Sequence, residues 1–485
     1  MSTTRALAWN TGVQILGKVL STAIGVMVVG LMTRYLGQVG FGMYSTANAF
    51  FQVFAIMLDL GLNVMLVQML GERAGDDAYE RRAVSATFTL RIVTALVLLT
   101  IAPFIALLIP SYPHELKIAI FAIWGSFFFA SLNQIVIGVQ QRHLKMQAVA
   151  VAEVLGRLTL LIGLLIAMKL GWGLIPIVLI VSLGGLINFA VNILVAMRYA
   201  DFRWNWDPEF WKTLLRRAWP IGVSILFNLI YFKADTLVLS LVRPFEEVGI
   251  YSAAYRVLEI LVTLPFMYTG VALPLMAQAW AKKDVTRFQN LLRQSFVAMT
   301  FLAAPMLVGI YVIGGQVMQL IAGEGFESSG DILKILMLAV AIIFFGTVSS
   351  HAIVAVDAQR KMIAAYVVTA LVTLLGYILL IPTYGIWAAA WLTVFSEGCV
   401  AIATTVVSLR RSKTQLPWMA LGKCALAAVL MGLAIYPLRD LWIPIPILVG
   451  ACVYLVLTLV FGVASRATMK EILSLRRDTP PAELS

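Results

Sequence analysis

The chain has 485 residues, 61% of them hydrophobic and 12% charged, with a mean hydropathy of +0.93. This balance excludes a soluble globular protein and predicts a polytopic membrane protein. The net charge of +12, concentrated in stretches such as WKTLLRRAW (211–219) and SLRRSK (408–413), reads as a topology and lipid-surface signal rather than a nucleic-acid-binding surface.

A membrane-spanning helix needs about 20 apolar residues, and the sequence offers fourteen such runs. The opening MSTTRALAWN leads into a run over 12–33 with no small-residue cleavage site after it, so the first helix is expected to be retained rather than removed as a signal peptide. Further runs cover 41–66, 83–109, 118–139, 146–168 and 173–197. The loop over 198–217, with Trp204 and Trp206, is expected to be an amphipathic segment on the inner membrane surface. The remaining runs cover 218–242, 250–278, 294–321, 332–356, 362–381, 385–408, 418–437 and 443–463. Hydrocarbon cannot solvate open backbone, and the runs are too long and too continuously apolar for barrel strands, so the expected fold is all-α. Cys399, Cys424 and Cys452 all fall inside spans. Neither a disulfide framework nor a zinc or other metal site is expected of them.

Basic residues orient the chain. With the N-terminus in the cytoplasm, 24 Lys and Arg fall in tails and inner loops, seven within spans, and five (Arg34, Lys117, Lys169, Arg243, Arg439) in outer loops. This positive-inside bias places both termini in the cytoplasm.

An internal repeat is legible. GIYSAA at 249–254 echoes GMYSTA at 42–47 with an offset of 207. GVSIL at 222–226 echoes GVQIL at 12–16, and AVDAQRKM at 355–362 echoes GVQQRHLKM at 138–146. Such echoes predict a six-span duplication, with the copies related by an axis along the membrane normal and a site between two lobes. The expected division is 1–215 for the first lobe, 216–410 for the second, and 411–485 for two added spans and a cytoplasmic tail.

Ionisable groups inside spans each cost about 2.5–3.5 kcal/mol near the helix centre and need a partner, a wet cavity or a role. The basic ones are Lys18, Arg91, Arg157, Lys233, Arg256, Lys334 and Lys423, and the acidic ones Asp59, Glu153, Asp235, Glu259 and Glu397. Glu153 with Arg157 and Arg256 with Glu259 have same-face helical spacing and read either as local ion pairs or as cavity groups. Lys233 and Asp235, two apart, point in different directions, and one of them is expected to look elsewhere. At a rise of about 1.5 Å per residue, Arg91, Arg157 and Glu397 lie roughly 12, 16 and 18 Å into their spans. Lys18, Arg91, Arg157, Lys233 and Arg256 are the candidate ligands of an anionic substrate, since arginine meets phosphate oxygens bidentately. Asp59, Asp235, Glu259 and Glu397 are the candidates to carry H⁺ or Na⁺, or else are counter-ions. Lys334 and Lys423 read as structural. Gly17, Gly25, Gly30, Pro220, Pro265 and Pro274 serve either compliance or packing.

The stretches TRYLGQVGFGMYSTANAF (33–50), DLGLNVMLVQ (59–68), VGIYSAAYRVLEIL (248–261) and ALPLMAQAW (272–280) resemble the bacterial polysaccharide flippases of the multidrug/oligosaccharidyl-lipid/polysaccharide export superfamily. The resemblance implies a V-shaped fold of two six-helix lobes plus two C-terminal helices in the bacterial inner membrane. It implies transport, without enzymatic chemistry, of an undecaprenyl-pyrophosphate-linked oligosaccharide. It further implies cation-coupled rocking, no cofactor beyond the coupling ion, and hand-over to a polysaccharide polymerase with its chain-length machinery. Three other readings differ in their sequence demands. A lipid II flippase would carry an arginine-rich opening helix, where this chain has GVQILGKVLSTAIG (12–25). A multidrug–cation antiporter would favour an acidic cavity, and a membrane glycosyltransferase or polymerase an acidic outer loop, for which GEGFESSGD (323–331) is the sole candidate.

Overall fold

The computed structural model describes residues 3–59, 61–73, 75–143 and 145–463. The tail expected over 464–485 lies outside the described residues. The helices are α1 (Thr3–Asp59), α2 (Leu62–Glu72), α3 (Asp77–Leu107), α4 (His114–Arg142), α5 (Met146–Lys169), α6 (Leu174–Ala196), α7 (Pro208–Val242), α8 (Phe245–Ala281), α9 (Val285–Ala322), α10 (Ser329–Ala355), α11 (Ile363–Ser412), α12 (Trp418–Ile435) and α13 (Pro444–Val460). Two short 3₁₀ turns, Gln359–Met362 and Tyr436–Leu438, complete the regular structure, and there is no strand among the described residues. The chain is thus an all-α polytopic membrane protein, with ten candidate spans long and apolar enough to cross a bilayer.

Two of these spans are double. Gly37 (φ 65°, ψ −172°) interrupts α1 and Gly385 (φ 56°, ψ −134°) interrupts α11. Both sit in a region that a residue with a Cβ enters only at a cost, so each glycine turns one apolar run into two helices without a loop. Dividing α1 and α11 there, and including α7 and α13, restores the fourteen expected spans.

The segment expected to lie flat on the membrane does not form a separate helix. Residues 201–207 are an irregular strap, and α7 starts at Pro208, inside the expected loop. The strap is stitched to α3: Ser85 Oγ donates to the Asp201 carbonyl at 2.8 Å, Asn205 N donates to Thr89 Oγ1 at 2.9 Å, and Arg82 Nε donates to Asp207 Oδ2 at 2.5 Å. Asp207 also caps α7, accepting from Phe210 N at 3.0 Å. Phe202 packs edge-on against Phe88, while Trp204 and Trp206 stack on each other and stay exposed. Polar side chains on α3 therefore fix the path, and exposed indoles suit a membrane interface.

The chain forms two compact units. Unit 1 runs up to Ser252 and includes Ile321–Gly323 and Tyr377–Ile386; unit 2 holds Ala253–Leu320, Glu324–Gly376 and the chain from Trp387 onward. In unit 1 a core of Leu66, Leu70, Ala83, Val139, Leu214 and their neighbours joins α2, α3, α4, α6 and α7. In unit 2, α10 buries 72% of its most apolar stretch where no other candidate span exceeds 47%, which makes it the central element. There α12 and α13 pack through Met431, Ile435 and Tyr454 against Phe301, Val308 and Val312 of α9.

The repeat shows itself in one contact inside unit 1. A Cβ at Gly42 would run into the Phe245 carbonyl, and a Cβ at Gly249 would run into the Gln38 carbonyl. Gln38 and Phe245, like Gly42 and Gly249, are 207 residues apart. The two copies therefore meet reciprocally, residue i of each against residue i−4 of the other, as a two-fold axis requires. The other glycines weighed for compliance also serve packing: Gly17 lies against Ala150, Gly25 under the Arg157 guanidinium, and Gly30 against the Ile321 carbonyl. Pro265 and Pro274 are accommodated within the continuous α8.

Gly249→Ala is expected to cost about 1–3 kcal/mol by overpacking this backbone contact, lowering the thermal midpoint of the purified protein. Gly71→Ala, where an added Cβ meets nothing within 4 Å, is the neutral control. The strap makes a second prediction. The Arg82 hydrogen bond holds the Asp207 carboxyl below its ordinary value, outweighing the effect of burial. Its stabilisation is thus present above about pH 4 and lost as pH falls through the folded-state value. Asp207→Ala should lose about 1 kcal/mol of capping at pH 7, and below about pH 4 its thermal midpoint should fall less steeply than that of the wild type.

Candidate functional site

Three of the expected charged residues, Lys18, Glu153 and Arg157, cluster with Ser21 in unit 1 between α1 and α5. Glu153 Oε1 accepts from Ser21 Oγ at 2.7 Å and from Lys18 Nζ at 3.3 Å, and Arg157 Nε donates to Ser21 Oγ at 3.1 Å. Along α5 itself Arg157 and Glu153 approach only to 3.9 Å. The same-helix pair is therefore looser than the bonds across to α1, with Ser21 bridging carboxylate and guanidinium. Arg157 and Lys18 keep about half their side-chain surface exposed, at 43% and 48%. Beside them a groove of about 300 Å³ opens between α4, α5 and α6, lined by Glu153, Arg157, Asn133, Asn188 and the glycines Gly156, Gly184 and Gly185. Two cations against one carboxylate leave this cluster with one net positive charge.

Arg91 and Asp59 lie elsewhere and serve each other. Expected to contribute to an anion path, Arg91 is instead fully buried, with Nη2 donating to Asp59 Oδ1 at 2.8 Å and Nη1 to the Leu58 carbonyl at 2.8 Å. The backbone explains the geometry. Helix α1 ends at Asp59, and Gly61 takes a left-handed conformation (φ 75°) before α2 starts, which leaves the last carbonyls of α1 without helical partners. The guanidinium fills one of them and sits at the negative end of the helix dipole. In this structure Asp59 is accordingly the counter-ion of Arg91.

Asp235 is buried on α7. Tyr251 OH donates to its Oδ2 at 2.5 Å, and the Thr236 backbone N and Oγ1 donate to its Oδ1 at 2.6 and 3.2 Å. Tyr251 is the tyrosine of GIYSAA, so the repeat motif supplies the partner of this carboxylate. Lys233, half-buried, is close enough for its charge to act on Asp235. Nearby, Tyr112 and Ser240 share a hydroxyl–hydroxyl hydrogen bond of 2.9 Å. In unit 2, Arg256 and Glu259 form the ion pair their spacing predicts, at 2.7 Å, each about three-quarters buried. Glu397 is buried on α11, and its Oε1 has no hydrogen-bond partner. Lys334 pairs with Asp331 at 2.7 Å, and Lys423 donates to the Phe461 carbonyl at the end of α13 at 2.8 Å, both structural as expected. The three cysteines are free, and no cluster of potential metal ligands occurs among the described residues.

Sequence reasoning directed at charged groups missed the neutral amides. Asn133 and Gln140 lie seven apart on α4, Asn188 and Asn192 four apart on α6, and these same-face spacings were the available signal. Asn188 Oδ1 accepts from both Asn133 Nδ2 (3.2 Å) and Asn192 Nδ2 (2.9 Å), and Gln140 Nε2 donates to the Asn192 carbonyl at 2.8 Å.

The buried pair carries a direct test. Arg91→Ala would leave Asp59 and the end of α1 without their partner, at a cost of about 3 kcal/mol. The variant is expected to give less folded protein and a lower thermal midpoint in detergent. Arg157→Ala, half-exposed, is expected to keep the wild-type midpoint.

Comparison with known proteins places the chain in context. The polysaccharide biosynthesis protein family matches residues 7–280, and the MatE family matches residues 220–382. The chain is 22% identical over 491 aligned positions to the probable flippase AglR of Haloferax volcanii, covering 96% of this chain and 98% of that protein. It is 20% identical to a putative O-antigen transporter of Shigella dysenteriae, over 78% of this chain and 93% of that one. Among solved structures, the lipid II flippase MurJ in an inward closed conformation superposes with a TM-score of 0.77 at 18% identity, over 92% of this chain and 98% of that one, a likeness of fold. These matches bear out the resemblance seen in the sequence, and the chain belongs to the polysaccharide biosynthesis protein family.

Proposed function

We propose that this protein is a flippase that moves an undecaprenyl-pyrophosphate-linked oligosaccharide repeat unit from the cytoplasmic to the periplasmic leaflet of the bacterial inner membrane, by alternating access coupled to H⁺ or Na⁺. The observation that carries the reading is the half-exposed Lys18–Glu153–Arg157 cluster with its open groove, inside a chain whose relatives over 96% and 78% of its length are named a probable flippase and a putative O-antigen transporter. Charged groups within a span are costly unless they pair, reach a wet cavity or serve a solute.

Each side chain has a place in this reading. Arg157 and Lys18 meet the substrate, and Lys233 and Arg256 remain candidates for its anionic part. Asp235 and Glu397, both buried carboxylates, are the candidates to take up and release the coupling ion, with Glu259 held back by its pairing to Arg256. Transport makes and breaks no covalent bond, and the protein works without a cofactor beyond the ion. The excess of Lys and Arg on one side supports a cytoplasmic side for both termini. The flipped product is then delivered on the periplasmic side, where a polymerase and its chain-length machinery receive it.

A deletion strain of the source organism tests the reading. It is expected to lose surface polysaccharide and to accumulate lipid-linked repeat units at the inner leaflet, both restored by the wild-type gene. Unchanged polysaccharide with increased drug sensitivity would point to a multidrug antiporter. Lysis with accumulated lipid II would point to peptidoglycan precursor transport. Within the flippase reading, Arg157→Ala should lower export at least about tenfold while membrane levels stay normal.

A further inference from the structure

The groove between α4, α5 and α6 has a chemistry that does not match a pyrophosphate. A phosphate site gathers cations and backbone N–H donors, and a carboxylate at its wall would repel the ligand. Here Glu153 stands in the wall, and its Oε1 already accepts from Ser21 and Lys18 and faces Arg157. Glu153 offsets one of the two cations, so the cluster keeps a single net positive charge when a ligand arrives.

What the groove offers instead is an alternation of donors and acceptors. Asn133 is 7% exposed, lines the groove, and its Oδ1 has no hydrogen-bond partner. Asn188, which lines the groove, spends its oxygen on two neighbouring amides, so its remaining capacity is as a donor through Nδ2. Glu153 Oε2 adds an acceptor and the outer N–H groups of Arg157 add donors. Behind this surface, the fully buried Asn192 and Gln140 hold the amide of Asn188 in place, Asn192 by donating to Asn188 Oδ1 and Gln140 by donating to the Asn192 carbonyl. Gly156 and Gly184 let α5 and α6 approach until a Cβ on either would lie 2.8 or 2.9 Å from the other's carbonyl oxygen, and a Cβ at Gly156 would also lie 3.0 Å from Asn188 Cβ. Glycine there makes room for the asparagine. The volume of about 300 Å³ falls at the lower end of small-molecule pockets, about 300–1,000 Å³.

We propose that this groove is a saccharide subsite: Asn133, Asn188, Glu153 and Arg157 hold the hydroxyls of a sugar residue of the repeat unit, and the pyrophosphate is held elsewhere. A sugar hydroxyl both donates and accepts, so each finds a complement here, and a buried amide oxygen left unbonded gives selectivity against groups that cannot donate. Asn192 and Gln140 are positioning residues that act through Asn188. This assignment rests on the flippase reading and adds to it where the sugar lies.

The test uses the purified full chain in detergent, with two probes: the organism's own repeat-unit oligosaccharide, released from its lipid by mild acid, and inorganic pyrophosphate. Asn188→Leu is expected to weaken oligosaccharide binding about tenfold, the value of a lost hydrogen bond with an orphaned partner, and to change pyrophosphate binding less than twofold. Asn188→Gln, which keeps an amide but displaces it, should act in the same direction and covers the case in which the leucine variant fails to fold. Oligosaccharide binding unchanged in both variants, or pyrophosphate binding weakened by the same factor, overturns the assignment. A deletion strain that keeps its surface polysaccharide sinks the flippase reading, whatever the groove binds. Loss in that strain, with full rescue by Asn188→Leu and unaltered oligosaccharide binding, sinks the subsite alone.

Discussion

Hydrocarbon offers no hydrogen bonds, so every backbone end and every charge placed within it must find a partner in the protein or reach water. That constraint accounts for the arrangement of the polar residues in this chain. Where α1 stops at Asp59, the exposed carbonyl draws in Arg91 from α3. Where Asp235 is buried on α7, Tyr251 reaches it from α8. Where Lys18 and Arg157 are left half-exposed, Glu153 and Ser21 organise them beside an open groove. The same requirement thus sorts charges into those consumed by the structure and those left half-exposed. Burial and partners mark that difference; residue type does not.

Much of the fold was legible because hydropathy and helical spacing act locally. The fourteen apolar runs and the Arg256–Glu259 pair rest on residues close in sequence. What stayed hidden is set by residues far apart. Nothing near Arg91 announces that its partners are 32 and 33 positions away at a helix break. Equally, the amides of Asn133 and Asn188 carry no charge to draw attention, and they meet across 55 positions. The strap over 201–207 looked amphipathic because its tryptophans are exposed, yet its course follows hydroxyls on α3.

The echoing segments share their motif but not their charges. The tyrosine of the motif is kept as Tyr44 and Tyr251, but the positions of Arg256 and Glu259 are Ala49 and Gln52 in the first copy. The Lys18–Glu153–Arg157 cluster and its groove belong to the first copy. The half-exposed cations beside a groove thus lie before residue 216, and the buried Asp235 and Glu397 after it. Packing, too, departs from the repeat boundary, since residues up to Ser252 join unit 1.

The contact between Gly42 and Gly249 has an ancestry in it. An interface in which the same residue of each partner meets the same backbone position of the other is what two identical subunits make about a two-fold axis. Here it lies within one polypeptide, because its two sides are 207 residues apart in a single gene. A side chain added on either side meets backbone that cannot yield, so neither glycine is at liberty to drift while the rest of the two copies diverges. The two echoing segments therefore meet at a point where neither backbone leaves room for a side chain.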